Sequence, residues 1–315
     1  MGISEARHQA HVTEWLKKFS NYKKKWPKNL FRHEPVQNAI SILKSGTLVS
    51  RSDATERGIL NLDIAPENII QNRDEAHANV RLYFRPRTPT QFHIEGIRKP
   101  EDYYMGRHAG FLVMLVFDSQ AILTMDSTKF SSCNMQSPYS EVLDGDWGFD
   151  TLDFNGIYHD QAYPTDDEKR KRCAEVLAKS PLYLDHTLEF IVVRTDADVV
   201  ALKFLLIREG LAHLVPKIRK SYSTGVFFER YTAMDFVDTS PGRINFKLRG
   251  TYSSGDIKTE LTVFDDTNHK QHILYSGNLS PLKKYYVEHQ LPAGSYRILF
   301  ELEDCFAHES LAALN

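Results

Sequence analysis

The chain reads as an α+β protein, with helices and strands interleaved up to about residue 240 and a small antiparallel β-domain after it. Three observations carry this. Val36, Ala39, Ile40 and Leu43 recur at i, i+3, i+4 and i+7, one face of a helix, and Gly46 stands where a helix-terminating glycine belongs. Phe111 to Phe117 is apolar without alternation, and Leu188-Glu-Phe-Ile-Val-Val-Arg194 carries an apolar run from Phe190 to Val193, as buried strands of a central sheet do. From Gly242 onward the period changes to two, in Ile244–Leu248, Glu260–Phe264, Tyr285–Val287 and Tyr296–Leu302, with turn residues between.

Taken in order, residues 1–28 form an amphipathic N-terminal helix, with Trp15, Leu16 and Phe19 on one face and a basic end, Lys23-Lys-Lys-Trp26, before Pro27. The lysines read either as a solvated helix end or as a phosphate-contacting patch with an aromatic for stacking. Asn29-Leu-Phe-Arg-His33 is a short strand that delivers a histidine to its end. Residues 47–80 lack apolar period and read as a long loop with a short helix near Pro66–Asp74. Val80–Phe84 is a strand, 131–167 is irregular, and a helix is expected from Asp167 to Lys179, stopped by Pro181. Val199–Glu209 is a helix that Gly210 ends. Pro241-Gly242 is the expected boundary between a domain of residues 29–240 and an accessory β-domain of 241–315.

Composition narrows the function. The chain has 315 residues, 42% apolar and 25% charged, as in an ordinary globular protein. It has no apolar run long enough for a membrane span and no apolar leader. Cys133, Cys173 and Cys305 are far apart, which argues against disulfide or zinc frameworks and fits a cytoplasmic location. A net charge of −2 leaves nucleic-acid binding to local patches. The glycines form neither a P-loop nor a dinucleotide fingerprint.

Four blocks carry candidate chemistry. His33 ends the first strand, and Arg73 closes Ile69-Ile-Gln-Asn-Arg73. Tyr83-Phe84-Arg85-Pro86-Arg87-Thr88-Pro89 places two arginines on stiff backbone, where a guanidinium fork suits phosphate. Glu175 stands between small and apolar residues in Arg172-Cys-Ala-Glu-Val-Leu177, so a solvated face is not its default, although a helix pair with Lys171 also accounts for it. Cys173, beside basic residues, is a weaker candidate for an activated thiolate. His159-Asp160 and Asp185-His186 have no third ligand at useful spacing and read as loop residues.

Together the blocks resemble the DarT family, bacterial toxins that ADP-ribosylate nucleic-acid bases and pair with a macrodomain antitoxin. The resemblance rests on Phe31-Arg-His33, Asn38-Ala-Ile-Ser-Ile-Leu43 with Gly46 and Leu48, Arg73, Tyr83–Pro89 and Arg172–Leu177, over roughly residues 29–230. The segment Glu34-Pro-Val-Gln37 is shorter than the family's and lacks its threonine and second histidine. Thr90-Gln91 replaces the family's Met-Leu-Tyr.

The resemblance implies an ADP-ribosyltransferase-like fold with a split central β-sheet, and NAD+ as substrate with no metal. It implies Glu175 and Arg73 as catalytic residues, and His33, Asn38, Arg73 and Tyr83 as NAD+-binding residues, with Arg51 as the alternative arginine. It places Phe84, Arg85, Arg87 and Tyr158 near a single-stranded DNA or RNA substrate and makes an antitoxin protein the expected partner. Glu175→Ala is expected to abolish transfer and spare the fold. Other readings are transfer onto RNA, a non-enzymatic binding protein working through the β-domain, and a metal-dependent nuclease. The β-domain, with Lys258, Lys270, Lys283, Lys284 and Arg297 beside Tyr252, Tyr275, Tyr285, Tyr286 and Tyr296, is expected to recruit a partner or the strand.

Overall fold

A computed structural model describes residues 1–58, 78–103, 108–135, 137–221, 225–250, 255–265 and 270–315. Arg73, the helix expected near Pro66–Asp74 and Tyr252 lie outside the described residues. The chain divides into two units: Met1–Phe92, Met114–Val192 and Ser223–Val226 in the first, and His93–Val113, Val193–Tyr222 and Phe227–Asn315 in the second.

In the first unit, Ser4 caps helix α1 (Glu5–Lys18) by accepting from the Arg7 amide, and a 3-10 helix, Asn21–Lys28, follows in place of further α-helix. Phe19 and Ser20 are extended and end the α-helical ladder before the 3-10 helix begins. The chain then enters β1 (Asn29–Pro35) and α2 (Val36–Ser45), which ends on Gly46 in the left-handed conformation at φ 66°. That region favours a residue without Cβ.

Strand β2 (Thr47–Leu48) and α3 (Arg51–Glu56), capped by Ser50, occupy part of the segment expected to be loop. The remaining elements of the unit are β3 (Asn79–Tyr83), α4 (Pro89–Ile94), β4 (Leu112–Asp118), α5 (Ser119–Leu123), β5 (Lys129–Ser131), β6 (Val142–Leu143), α6 (Gly145–Asp150), α7 (Phe154–Ile157), α8 (Asp166–Lys171), β7 (Glu175–Lys179), β8 (Leu182–Tyr183) and β9 (Leu188–Val193). Within this unit the strands of the large sheet run β9-β4-β1-β3-β7-β5-β6, so that β7, late in sequence, is inserted between β3 and β5. β4 is buried along nearly its whole length, as its unbroken apolar run requires.

The expected helix from Asp167 to Lys179 stops at Lys171. Thr165 and Glu168 form a reciprocal capping box that starts it one residue early. After a turn at Arg172–Ala174 the chain becomes β7, paired antiparallel with β3 from Asn79↔Lys179 to Tyr83↔Glu175. Glu175 to Ala178 are all buried, and a short run buried on both sides carries no period that separates strand from helix.

The second unit contains α9 (Asp196–Arg208), capped by Thr195, then β10 (Ile218–Lys220) and seven antiparallel strands. These are β11 (Ala233–Ser240), β12 (Arg243–Arg249), β13 (Ile257–Asp265), β14 (Gln271–Leu279), β15 (Lys284–Glu288), β16 (Gly294–Leu302) and β17 (Cys305–Leu314). They form two sheets, β11-β12-β15 and β14-β13-β16-β17. Ile244, Phe246 and Leu248 of one and Leu261, Val263, Ile298 and Phe300 of the other build one core, with Phe246 and Phe300 at 4.8 Å between ring centroids.

The boundary expected at Pro241-Gly242 is corrected. Those residues are the turn of the β11–β12 hairpin, in which Ser240 pairs with Arg243. Helix α9 also belongs to the β-rich unit: Ala197 is part of its core, and the buried His308 ring contacts the Ala197 carbonyl at 3.0 Å.

Candidate active site

Alternation along paired strands decides which side chains share a face. Phe31 registers with Tyr83 and Tyr83 with Glu175, so these three lie on one face of the sheet. His33 and Arg81 join them, each two positions along its strand. The His33 ring stacks on Tyr83 at 5.4 Å, 6° from parallel. Arg81 grips the Glu175 carboxylate with both arms of its fork, Nε to Oε2 at 2.9 Å and Nη2 to Oε1 at 2.5 Å. Glu175 is 1% exposed, and its amide donates to Ser131 Oγ at 3.0 Å.

The electrostatics follow from burial. Desolvation alone would lower the Arg81 pKa, but the charge of Glu175 and the hydrogen bonds to it carry it above the ordinary value. Burial, with Glu175 adding, raises that of Tyr83. Burial, with the Arg32 charge adding, pushes His33 down to about 3, so its ring is neutral at neutral pH. The site is thus a fixed carboxylate in the fork of a guanidinium, beside a stacked neutral imidazole and phenol.

On the adjoining positions of β1, Glu34 accepts from Arg32 Nε at 2.6 Å and from Asn38 Nδ2 at 3.3 Å, and Arg32 Nη1 donates to the Arg81 carbonyl at 3.1 Å. Asn38 is thereby bonded to Glu34, one position beyond His33 on β1. Neither Arg81 nor Glu34 stood out in the sequence. Arg81 was legible in principle, two residues before Tyr83 and hence on its face.

Other candidates fall elsewhere. Phe84 is buried against Phe154 and Phe149, at 5.4 and 6.1 Å between centroids. Tyr158 is buried in the same aromatic cluster, its hydroxyl 3.0 Å from His11 Nε2. Arg85, 1% exposed, donates to Asp160 at 2.7 Å and lies over the Trp26 ring at 4.6 Å. Arg87 bonds the same Asp160 and the Tyr22 hydroxyl. Expected to face a nucleic-acid strand, Phe84, Arg85 and Tyr158 are core residues. Pro86 and Pro89 stiffen the backbone, but they turn the first arginine inward onto a carboxylate. Arg87 is largely committed to that carboxylate, with 19% of its side chain exposed.

Cys173 is corrected as well. Burial, with Glu175 adding, pushes its thiol up to about 12, the reverse of an activated thiolate. Arg51 is the first residue of α3.

A family model described as ssDNA thymidine ADP-ribosyltransferase, DarT, matches residues 31–222. Thermus sp. 2.9 DarT in complex with ADP-ribosylated ssDNA shares the fold at a TM-score of 0.52 and 17% identity, over 64% of this chain and 97% of that one. The same Thermus protein in complex with NAD+ gives 0.47 and 16%, over 64% and 98%. Thermosipho africanus DarTG in complex with ADP-ribose gives 0.47 and 17%, over 71% of this chain and 56% of that one. No curated protein matches.

Proposed function

Because the chain belongs to the DarT family, we propose that it transfers ADP-ribose from NAD+ to a base of single-stranded nucleic acid, with DNA favoured over RNA. The observation that supports this best is Glu175, a buried carboxylate fixed by Arg81 beside the stacked His33 and Tyr83. Breaking the bond between nicotinamide and ribose develops positive charge on the ribose, and a preorganised carboxylate stabilises that charge where it forms.

Each Glu175 oxygen has two acceptor positions, and the Arg81 fork takes one of each. The others are left to accept from a ribose hydroxyl and to take the proton that the attacking base nitrogen loses as its new bond to the ribose forms and nicotinamide leaves. His33, neutral at neutral pH, orients the dinucleotide by hydrogen bonding, Tyr83 stacks on it, and Asn38 keeps Glu34 and β1 in place. Arg73, by the resemblance, holds the pyrophosphate. The reaction needs the target base out of its stack, which a single strand permits at low cost. The biological role in this reading is that of a toxin in a toxin–antitoxin or anti-phage system, restrained by a partner protein.

The test is incubation with labelled NAD+ and single-stranded DNA or RNA, with and without EDTA. Label on DNA, insensitive to EDTA and absent in Glu175→Gln, is expected. Label on RNA alone would move the substrate class, and no label on either strand would overturn the reading.

A further inference from the structure

The 3-10 helix Asn21–Lys28 lies outside the span matched by the family, and it presents cations that have no carboxylate partner among the described residues. Its inward side is docked. Tyr22 donates to Asp160 at 2.9 Å, Lys23 pairs with the same carboxylate at 3.4 Å, and Trp26 is fully buried with the Arg85 guanidinium over its ring. The aromatic once available for stacking is therefore spent on anchoring. Lys24, Lys25 and Lys28 are exposed, and none has a carboxylate partner among the described residues, whereas Lys18 pairs with Glu14 and Lys23 with Asp160. Lys25 and Lys28 stand one turn apart, about 6 Å along the axis. The Lys25 carbonyl is held by Asn29 Nδ2 at 2.6 Å. The next residues are β1, which carries His33 about 17 Å from Lys28 at ordinary strand rise.

Three exposed ammonium groups, without a carboxylate partner among the described residues, on a chain of net charge −2 fit a polyanion with repeating phosphates. Because the helix is docked through Tyr22, Lys23 and Trp26, binding orders the lysine side chains on a backbone already held. We propose that Lys24, Lys25 and Lys28 form a phosphate-binding platform for the sugar–phosphate backbone of the substrate strand, on the approach to the His33 end of β1. This rests on the transferase reading above and adds a contact outside the matched span.

The experiment uses the full chain and the triple variant Lys24→Ala, Lys25→Ala, Lys28→Ala. Affinity for fluorescent single-stranded oligonucleotides of about 4 and about 16 nucleotides is titrated over a range of salt. Each phosphate contact contributes about 0.7 to the slope of log affinity against log salt for a single strand. The variant's slope on the longer strand is expected to be shallower by about 2. Raising salt fourfold should then cost the wild type roughly 20-fold more affinity than the variant. NAD+ hydrolysis without a strand should be unchanged.

Equal slopes in a wild type that binds and labels the strand would overturn the platform alone. So would a variant whose only loss is binding to anionic phospholipid vesicles. A wild type that binds no strand at any salt would instead fail the transferase reading.

Discussion

Removing Arg81 tests whether the guanidinium holds the carboxylate of the site in place. Arg81→Ala deletes both hydrogen bonds to Glu175 and leaves that carboxylate 1% exposed without its cation. Breaking a buried pair from one side typically costs 3–5 kcal/mol. Since 19% of the Arg81 side chain is exposed, water can follow into the space it vacates, and the lower end applies, about 3 kcal/mol. At roughly 2–4 °C per kcal/mol for a unit of this size, the melting temperature should fall by about 6–12 °C.

Glu175→Gln is the opposite experiment. The amide keeps one acceptor for Arg81, and the arginine it disappoints has some access to water, so the cost should stay near 1 kcal/mol. Transfer should nonetheless fall by about 10²–10³. Thermal melts and a labelled-NAD+ assay on the two single variants and on the double variant Arg81→Ala with Glu175→Gln close a double-mutant cycle, with an expected coupling of about 2 kcal/mol. Equal melting shifts in the two single variants, or coupling near zero, would refute the argument. From the same geometry Glu175→Ala is predicted to destabilise the fold more than Glu175→Gln does, because it leaves Arg81 with neither acceptor.

Three further outcomes follow. His33→Ala should weaken NAD+ binding in calorimetry and leave oligonucleotide affinity nearly unchanged; unaltered NAD+ affinity would remove His33 from the site. Burial holds His11 and His33 down to about 3 and His308 to about 4, so between those values and 6.5 the unfolded chain binds more protons than the folded one. Stability should be full above about pH 6.5 and fall below it, by up to about 1.4 kcal/mol per pH unit for each histidine. Melts of His11→Phe should show a shallower fall, and an identical one would exclude His11 as a contributor. Truncation after Ser240 should give insoluble protein, because it removes β12 from its pairing with β11 and opens the core around Phe246 and Phe300. A soluble, cooperatively melting truncation would restore the boundary at Pro241.

The parts of the fold with a period were legible. The stripe of α2, the terminator Gly46, the apolar run of β4 and the alternation of β12, β13 and β16 all appear where composition places them, within a few residues. Glu175 was legible as a residue but not as a strand residue, because β7 is buried from Glu175 to Ala178 and its conformation is settled by β3 and β5, distant in sequence. The destination of Arg85 was hidden for a similar reason. Its partner, Asp160, is fixed by the fold and not by spacing. Arg81 was passed over because a charged residue in a strand reads as solvent-facing until the strand beside it is known.

The late insertion of β7 has a consequence for synthesis. Translation delivers β1 and β3 first, and β3 then has an open edge until Glu175–Lys179 leave the ribosome. At 5–20 residues per second, the interval between Tyr83 and Glu175 is roughly 5–20 s. Through that interval the chain holds His33, Tyr83 and Arg81 without the carboxylate that Arg81 grips in the finished fold. A nascent or prematurely released chain therefore lacks Glu175, and the proposed transfer is withheld from every product that ends before β7.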